Sequence, residues 1–214
     1  MSKKGTEEHR YYPVCLDLAE KLCLVVGGGT VAARKVGSLT ECGARVRVVA
    51  PEVCPEIEAA NGVEIARRPF QPDDLDGVFL VISASDEHHL NATVAELARE
   101  HGILVNVVDK PDLCNFIVPA AVRRGALLVS VSTSGVSPAL AKRLRTELET
   151  QFGDDYSRFL DVVRDVRREV IESLPDPKRR TEILTELADP KFLAILQFKG
   201  PAEMKREMRR LYDR

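Results

Sequence analysis

No run of apolar residues approaches the roughly 18 that a membrane-crossing helix needs. The opening MSKKGTEEHR leads into no signal-type hydrophobic stretch. Neither membrane placement nor secretion is expected, so the expected location is cytoplasmic. Cysteine is sparse: the five residues Cys15, Cys23, Cys42, Cys54 and Cys114 are scattered and form no CxxC pair, which rules against a disulfide scaffold. HExxH and Cys-His clusters are absent, so no metal site is assigned. The STSG stretch lacks a GxSxG elbow and no His partner can be identified for Ser132, Thr133 or Ser134, which disfavours a serine hydrolase. Charge of one sign is also lacking: 31 basic residues face 33 acidic ones, for a net charge of -2. A nucleic-acid partner is not expected, although a local basic patch can still meet an anionic small molecule. There is no internal repeat and no low-complexity tract.

What remains is a 214-residue chain, 44% apolar and 30% charged, able to build one substantial core and a satellite. LCLVV at 22–26, VRVV at 46–49, VFLVIS at 78–83 and ILVNVV at 103–108 are nearly continuous apolar runs, the signature of parallel strands buried on both faces. VEIA at 63–66 is a weaker candidate. Helical segments at 30–42 and 86–101 lie between the runs, giving a βαβ rhythm and a doubly wound α/β parallel sheet. ALLVSVSTSG then leads into another helix, with Ser137 as cap and Pro138 at its first position. Leu140, Leu144 and Leu148 put an apolar seam on that helix, for core packing or for a subunit interface. From Phe159 onward the spacing is helical, interrupted at Pro175 to Pro177, at Pro190 and at Gly200-Pro201. A compact helical appendage with mixed surface charge is expected there.

The strongest chemical signal is VVGGGTVAARK. Gly27, Gly29 and Ala32 form GxGxxA between a strand and a helix, the pattern of a dinucleotide site. Gly27 permits the tight turn, Gly29 leaves room for pyrophosphate, and Ala32 allows the helix to pack closely on the sheet; Gly28 is expected to help the backbone bend. The acidic residue that commonly grips a ribose after the second strand is missing, and Ala50 and Pro51 stand in its place. Glu52 is a late candidate for the ribose, and Arg45 and Arg47 are candidates for a 2'-phosphate, so NAD is preferred over NADP without an acidic clamp. Ser83, Ala84, Ser85 and Asp86 end the next run, where small residues let a cofactor approach and Ser85 or Asp86 can also cap the following helix. The adjacent His88 and His89 point to different sides of a helix and make no metal pair.

Asp109 ends the strand ILVNVV ahead of Lys110-Pro111. It either accepts a proton in a ligand crevice, provided burial moves its pKa toward the working pH, or serves as a turn residue. Asn106 is read as a strand-end hydrogen-bonding residue, Cys114 as a small apolar one, and Asn115 and Phe116 as lining the crevice entrance.

Three segments, YYPVCLDLAEKLCLVVGGGTVAARK, NVVDKPDLCNFIVPA and LLVSVSTSGVSPALAKRLR, together resemble the precorrin-2 dehydrogenase family, the NAD-dependent part of siroheme synthase, in some members combined with sirohydrochlorin ferrochelatase activity. The resemblance is strong over 11–150 and weaker in the tail. It implies an oxidoreductase of siroheme and porphyrin biosynthesis, with precorrin-2 as substrate and the tetrapyrrole sirohydrochlorin as product. NAD would take the hydride and Asp109 would assist proton loss. Gly27, Gly28, Gly29, Thr30 and Val31 would surround the pyrophosphate, and Ser83 to Asp86 would approach the other half of NAD. Lys110, Arg123, Arg124, Lys142, Arg143 and Arg145 would form a basic rim for a carboxylate-rich ring.

The implied organisation is a Rossmann-like NAD-binding domain at 1–113, a small α/β dimerisation segment at 114–150 that makes a homodimer, and a helical substrate-side appendage at 151–214. Thr133 matches a position phosphorylated in some fused relatives, but transfer of that regulation is not expected. Ferrochelatase activity, with Fe2+ as a substrate, stays open, as does a non-enzymatic NAD-binding regulatory domain. The length leaves no room for the methyltransferase unit of fused siroheme synthases, so a stand-alone oxidation step is expected.

Overall fold

The computed structural model describes residues 10–213, so the charged opening stretch lies outside the described residues. The chain forms two compact units, Met1–Val118 and Pro119–Arg214.

The first unit is a five-stranded parallel sheet of β1 (Leu22–Val26), β2 (Arg45–Val49), β3 (Val63–Ala66), β4 (Leu80–Ser83) and β5 (Leu104–Val107), in the order β3-β2-β1-β4-β5. The crossovers carry α1 (Thr30–Glu41), the short α2 (Pro55–Glu58) and α3 (His88–Glu100). The runs of β1, β4 and β5 are nearly continuous because both faces are covered, whereas Arg45 and Arg47 of β2 and Glu64 of β3 mark a more open face toward the β3 edge. Leu24 and Val26 of β1 enter one core with Val94, Ala95 and Ala98 of α3; Cys23 and Val25 enter the opposite core with Ala32, Val36 and Leu39 of α1. Each fully buried valine contributes about 1.5–3 kcal/mol. The chain leaves β1 in one direction across the sheet and β4 in the other, so the carboxyl ends of β1 and β4 meet at the point where such sheets bind ligands. Between β3 and β4, the buried Asp74 accepts both guanidinium nitrogens of Arg68 at 2.8 and 2.6 Å and the Gln71 N–H at 2.8 Å. These bonds hold its carboxyl below the usual range.

In the second unit, β6 (Ala120–Arg124) and β7 (Leu127–Val131) pair antiparallel and lead into α4 (Pro138–Gln151). The strand ahead of α4 leads into a helix as expected, and it pairs with β6 in this separate hairpin. Its connection decides the pairing: two residues with Gly125 at φ +56° fit an antiparallel turn, whereas a parallel partner needs a long crossover. Ser137 caps α4 by accepting the Leu140 N–H, and Pro138 occupies the first turn.

Four helices follow: α5 (Asp155–Ser173), α6 (Pro177–Glu186), α7 (Pro190–Lys199) and α8 (Pro201–Arg209). The last three start on proline, and Asp176 and Asp189 cap α6 and α7. Val166, Val170, Ile183, Phe192, Leu196, Met204 and Met208 form their shared core.

Glu169 ties α5 to the C-terminal end of this unit. It accepts Arg209 Nε and Nη2 at 2.8 and 2.7 Å and the Tyr212 hydroxyl at 2.7 Å, with Lys205 at 3.3 Å. These donors, Arg209 foremost, pull its pKa from 4.5 down to about 2. Its stabilising contribution is therefore complete above about pH 4.5 and is lost as pH falls toward 2. The cluster is solvent-accessible, so screening keeps the net value well under the full linkage energy. Glu169→Gln is expected to cost about 1–2 kcal/mol at pH 7, with the gap in unfolding free energy between the two proteins closing as the pH is lowered. A gap of the same size at pH 7 and near pH 2 would show that packing, and not the charge, is responsible.

Candidate active site

The turn after β1 is held by its neighbours. Gly27 sits at φ +122°, a conformation open to glycine, and a Cβ there would lie 2.4 Å from the Ala84 carbonyl oxygen at the end of β4. Gly28 was expected to help the backbone bend, but its φ is not in the left-handed region. What requires glycine is close approach: an added Cβ would lie 1.8 Å from the Glu52 carbonyl oxygen, and Cys54 N–H donates to the Gly28 carbonyl at 2.7 Å. Gly29 differs from both, since a Cβ there meets nothing within 4 Å.

Gly29 is also the N-cap of α1, and no side chain caps that end. Ala33 N–H returns to the Gly29 carbonyl, leaving the amides of Thr30, Val31 and Ala32 as the unpaired first turn of a helix. Ala32 has no exposed surface, which brings α1 tightly onto the sheet. Open space over Gly29, free amides and the positive helix end together fit the pyrophosphate of a dinucleotide.

The other predicted cofactor contacts divide. Ala50 is buried and its N–H donates to the Ala66 carbonyl, while Pro51 and Glu52 are exposed beside the turn. Arg47 is paired across the sheet with Glu64 at 2.9 Å, and both Arg45 and Arg47 lie before the carboxyl end of β2. Ser83 does not offer its hydroxyl to a ligand: it is fully buried and donates to Asn91 Oδ1 at 2.6 Å. Asn91 in turn donates to the Ser85 carbonyl at 2.8 Å. It thereby fixes the loop carrying Ala84, Ser85 and Asp86, a role no sequence pattern marked. Ser85 Oγ accepts the Glu87 N–H, whereas the exposed Asp86 makes no capping bond to α3.

Asp109 stands just beyond β5 at φ +57° and is exposed. The burial on which its expected activation depended is therefore not found. Aspartate and asparagine tolerate this left-handed geometry better than most side chains. Cys114 was read as a small apolar residue, yet its thiol clasps the turn: Sγ accepts the Val107 N–H at 3.1 Å and lies 3.3 Å from the carbonyls of Val107 and Lys110. Burial pushes its pKa up, keeping it a thiol. Asn106 Nδ2 donates to the Phe116 carbonyl at 3.1 Å, and Phe116 itself packs on the α1 side of the sheet.

Asn115, expected to meet substrate, instead serves the open edge of β5. Its Oδ1 accepts the Val105 N–H at 2.7 Å and its Nδ2 donates to the Ile103 carbonyl at 3.0 Å. The segment so held encloses an open pocket of about 240 Å³ lined by Asp109, Lys110, Asn106, Cys114 and, from α1, Lys35. Lys35 escaped the sequence reading although it ends the VVGGGTVAARK motif.

The remaining basic candidates belong to the second unit. Arg124 contacts Asp154, Arg143 contacts Glu147, and Arg145 pairs with Glu149. Arg123 and Lys142 are exposed and take part in no ion pair among the described residues. Among the described residues, no three His, Cys, Asp or Glu side chains gather to hold a metal, and no helix is long and apolar enough to cross a membrane.

Comparison with known proteins places this geometry. Residues 14–120 match a family described as putative NAD(P)-binding, and residues 124–151 match one described as sirohaem biosynthesis protein central. The solved structure of SirC, precorrin-2 dehydrogenase, superposes with a TM-score of 0.77 and 30% identity, over 94% of this chain and 100% of that one. This chain belongs to the precorrin-2 dehydrogenase family. Siroheme synthase of Methylococcus capsulatus is 43% identical over 173 residues, 79% of this chain and 36% of its own length. Siroheme synthase of Pseudomonas aeruginosa strain LESB58 is 39% identical over 199 residues, 92% of this chain and 43% of its own. The chain thus spans less than half the length of these siroheme synthases. Within the precorrin-2 dehydrogenase family, its glycine turn and the Asp109 pocket both lie inside the matched NAD(P)-binding segment.

Proposed function

We propose that this protein oxidises precorrin-2 to sirohydrochlorin with NAD+ as the acceptor. The observation that carries the reading is the likeness to precorrin-2 dehydrogenase over nearly the whole of both chains, with a glycine turn that fits pyrophosphate. NAD+, when bound, supplies the two-electron acceptor by taking a hydride.

The chain's own residues do the rest. The free amides of Thr30, Val31 and Ala32 hold the diphosphate, and the space over Gly29 admits it. Asp109, an exposed carboxylate that lines the pocket on the turn held by Cys114, accepts the proton that the ring loses along with the hydride. Lys110 in the pocket is a cation available to a peripheral carboxylate of the ring. The engagement of Arg47 with Glu64 removes an attraction for a 2'-phosphate and favours NAD over NADP.

A homodimer completes the reading. Leu128 of β7 and Leu140 of α4 are exposed, Leu144 and Leu148 are half-buried, and α4 buries only Ala141 fully, which leaves apolar surface for a second copy. The domain roles expected from sequence stay with this proposal: cofactor binding in the first unit, pairing through β6, β7 and α4, and a substrate-side role for α5 to α8.

The test is an anaerobic reaction of the purified protein with precorrin-2 and NAD+, followed by Fe2+. Formation of NADH together with sirohydrochlorin is expected. NAD+ binding without either product would replace the enzyme by a regulatory NAD-binding protein. Enzyme-accelerated iron uptake in the second stage would add chelation, with Fe2+ as a substrate.

A further inference from the structure

The Asp109 pocket contains a cation that the proposed chemistry has not used. Lys35 lies on α1, half-buried, well past the amides that face the diphosphate, and lines the same pocket as Asp109 and Lys110. Among the described residues it makes no ion pair. An ammonium that is partly withdrawn from water without a fixed counter-ion is costly, because the lost hydration is not replaced. Burial, with Arg34 beside it, draws its pKa down from the ordinary lysine value, while Asp109 works in the opposite direction. The pocket thus holds two cationic side chains against the one carboxylate of Asp109. That imbalance suits an anion that brings its own charge.

We propose that Lys35 is a substrate-binding residue that receives a peripheral carboxylate of the tetrapyrrole, seating the ring edge beside Asp109. The inference rests on the proposed precorrin-2 dehydrogenase reading and assigns one contact within it. A lysine is suited to this task as a point charge on a flexible stem, able to follow a carboxylate on a mobile acetate or propionate arm. With the carboxylate in place the charge is matched, and the ring's reacting edge is held next to the proton acceptor and not merely near the pocket mouth.

The test is an equilibrium titration of sirohydrochlorin into the full chain without NAD, followed by absorbance, for wild type, Lys35→Gln and Lys35→Arg. A parallel titration with NAD+ and a thermal melt are run on each protein. Lys35→Gln is expected to weaken sirohydrochlorin binding about 10-fold, the loss of one charge-assisted contact. Lys35→Arg should recover most of that loss, with NAD+ affinity and melting temperature unchanged in both variants. Equal sirohydrochlorin affinity in wild type and Lys35→Gln overturns the assignment. So does a loss confined to NAD+, which would place Lys35 on the cofactor, or an equal loss for both ligands with a lowered melting temperature, which would make it structural. Wild type that binds no sirohydrochlorin at all would instead remove the functional reading on which the inference stands.

Discussion

Asp109→Asn is expected to lower the turnover of precorrin-2 by about 100-fold or more, the usual scale of a lost general base, while leaving NAD+ affinity and thermal stability close to wild type. The expectation is sharp because the substitution separates chemistry from shape. Asp109 sits at φ +57°, where asparagine is at least as comfortable as aspartate, so the turn keeps its geometry. Cys114 holds that turn through the backbone of Val107 and Lys110, which the substitution does not touch. Asparagine has nearly the same size but no carboxylate to take a proton. Asp109→Ala is the poorer variant, since alanine is strained at this φ and would mix a backbone effect with a chemical one. Unchanged turnover in Asp109→Asn, measured anaerobically as NADH formation, would reduce Asp109 to a turn residue and move the proton-accepting step elsewhere.

Substitutions in the glycine turn should divide into two opposite outcomes. Gly29→Ala is expected to leave the melting temperature unchanged and to weaken NAD+ binding about 10- to 100-fold, because the new methyl group meets no protein atom and projects into the space meant for the diphosphate. Gly28→Ala is expected to destabilise the first unit by about 3 kcal/mol or more, because its Cβ would lie 1.8 Å from the Glu52 carbonyl oxygen and relief requires backbone, not a side chain, to shift. Isothermal titration with NAD+ and a melting curve on each variant read the two effects separately. Wild-type NAD+ affinity in Gly29→Ala would mean that the open space beside Gly29 is not the diphosphate site. A thermally unaltered Gly28→Ala would mean that the loop after β2 yields easily. The two glycines are adjacent and look alike in sequence, yet one faces open space and the other packs against the Glu52 carbonyl.

Much of the architecture was legible because the relevant physics is local. LCLVV and ILVNVV lack polar alternation, as a strand covered on both faces allows, and they are the strands β1 and β5. Proline and glycine marked the breaks among α5 to α8, and Ser137-Pro138 marked the start of α4. The GxGxxA spacing located the uncapped helix end that we propose holds the diphosphate, since the missing side chains and the free amides are both written in consecutive residues.

What escaped the sequence depends on neighbours distant along the chain. Arg47 read as a candidate for a 2'-phosphate until the register of β2 and β3 set Glu64 beside it. Ser83 read as a cofactor contact until Asn91, eight residues later, took its hydroxyl into the interior. Asn115 became a splint for the edge of β5, and the strand before α4 found its partner in β6.

By itself, then, the sequence determined the doubly wound sheet, the position of the dinucleotide turn and the strand end that presents Asp109, because each follows from contiguous residues obeying the periodicity and steric limits of one element. Only the tertiary structure decided which polar side chains remain free for chemistry, that Gly28 is required by the Glu52 carbonyl, and that Lys35 shares a pocket with Asp109. Those outcomes depend on which distant groups are folded within hydrogen-bond or contact distance, and no local pattern encodes that.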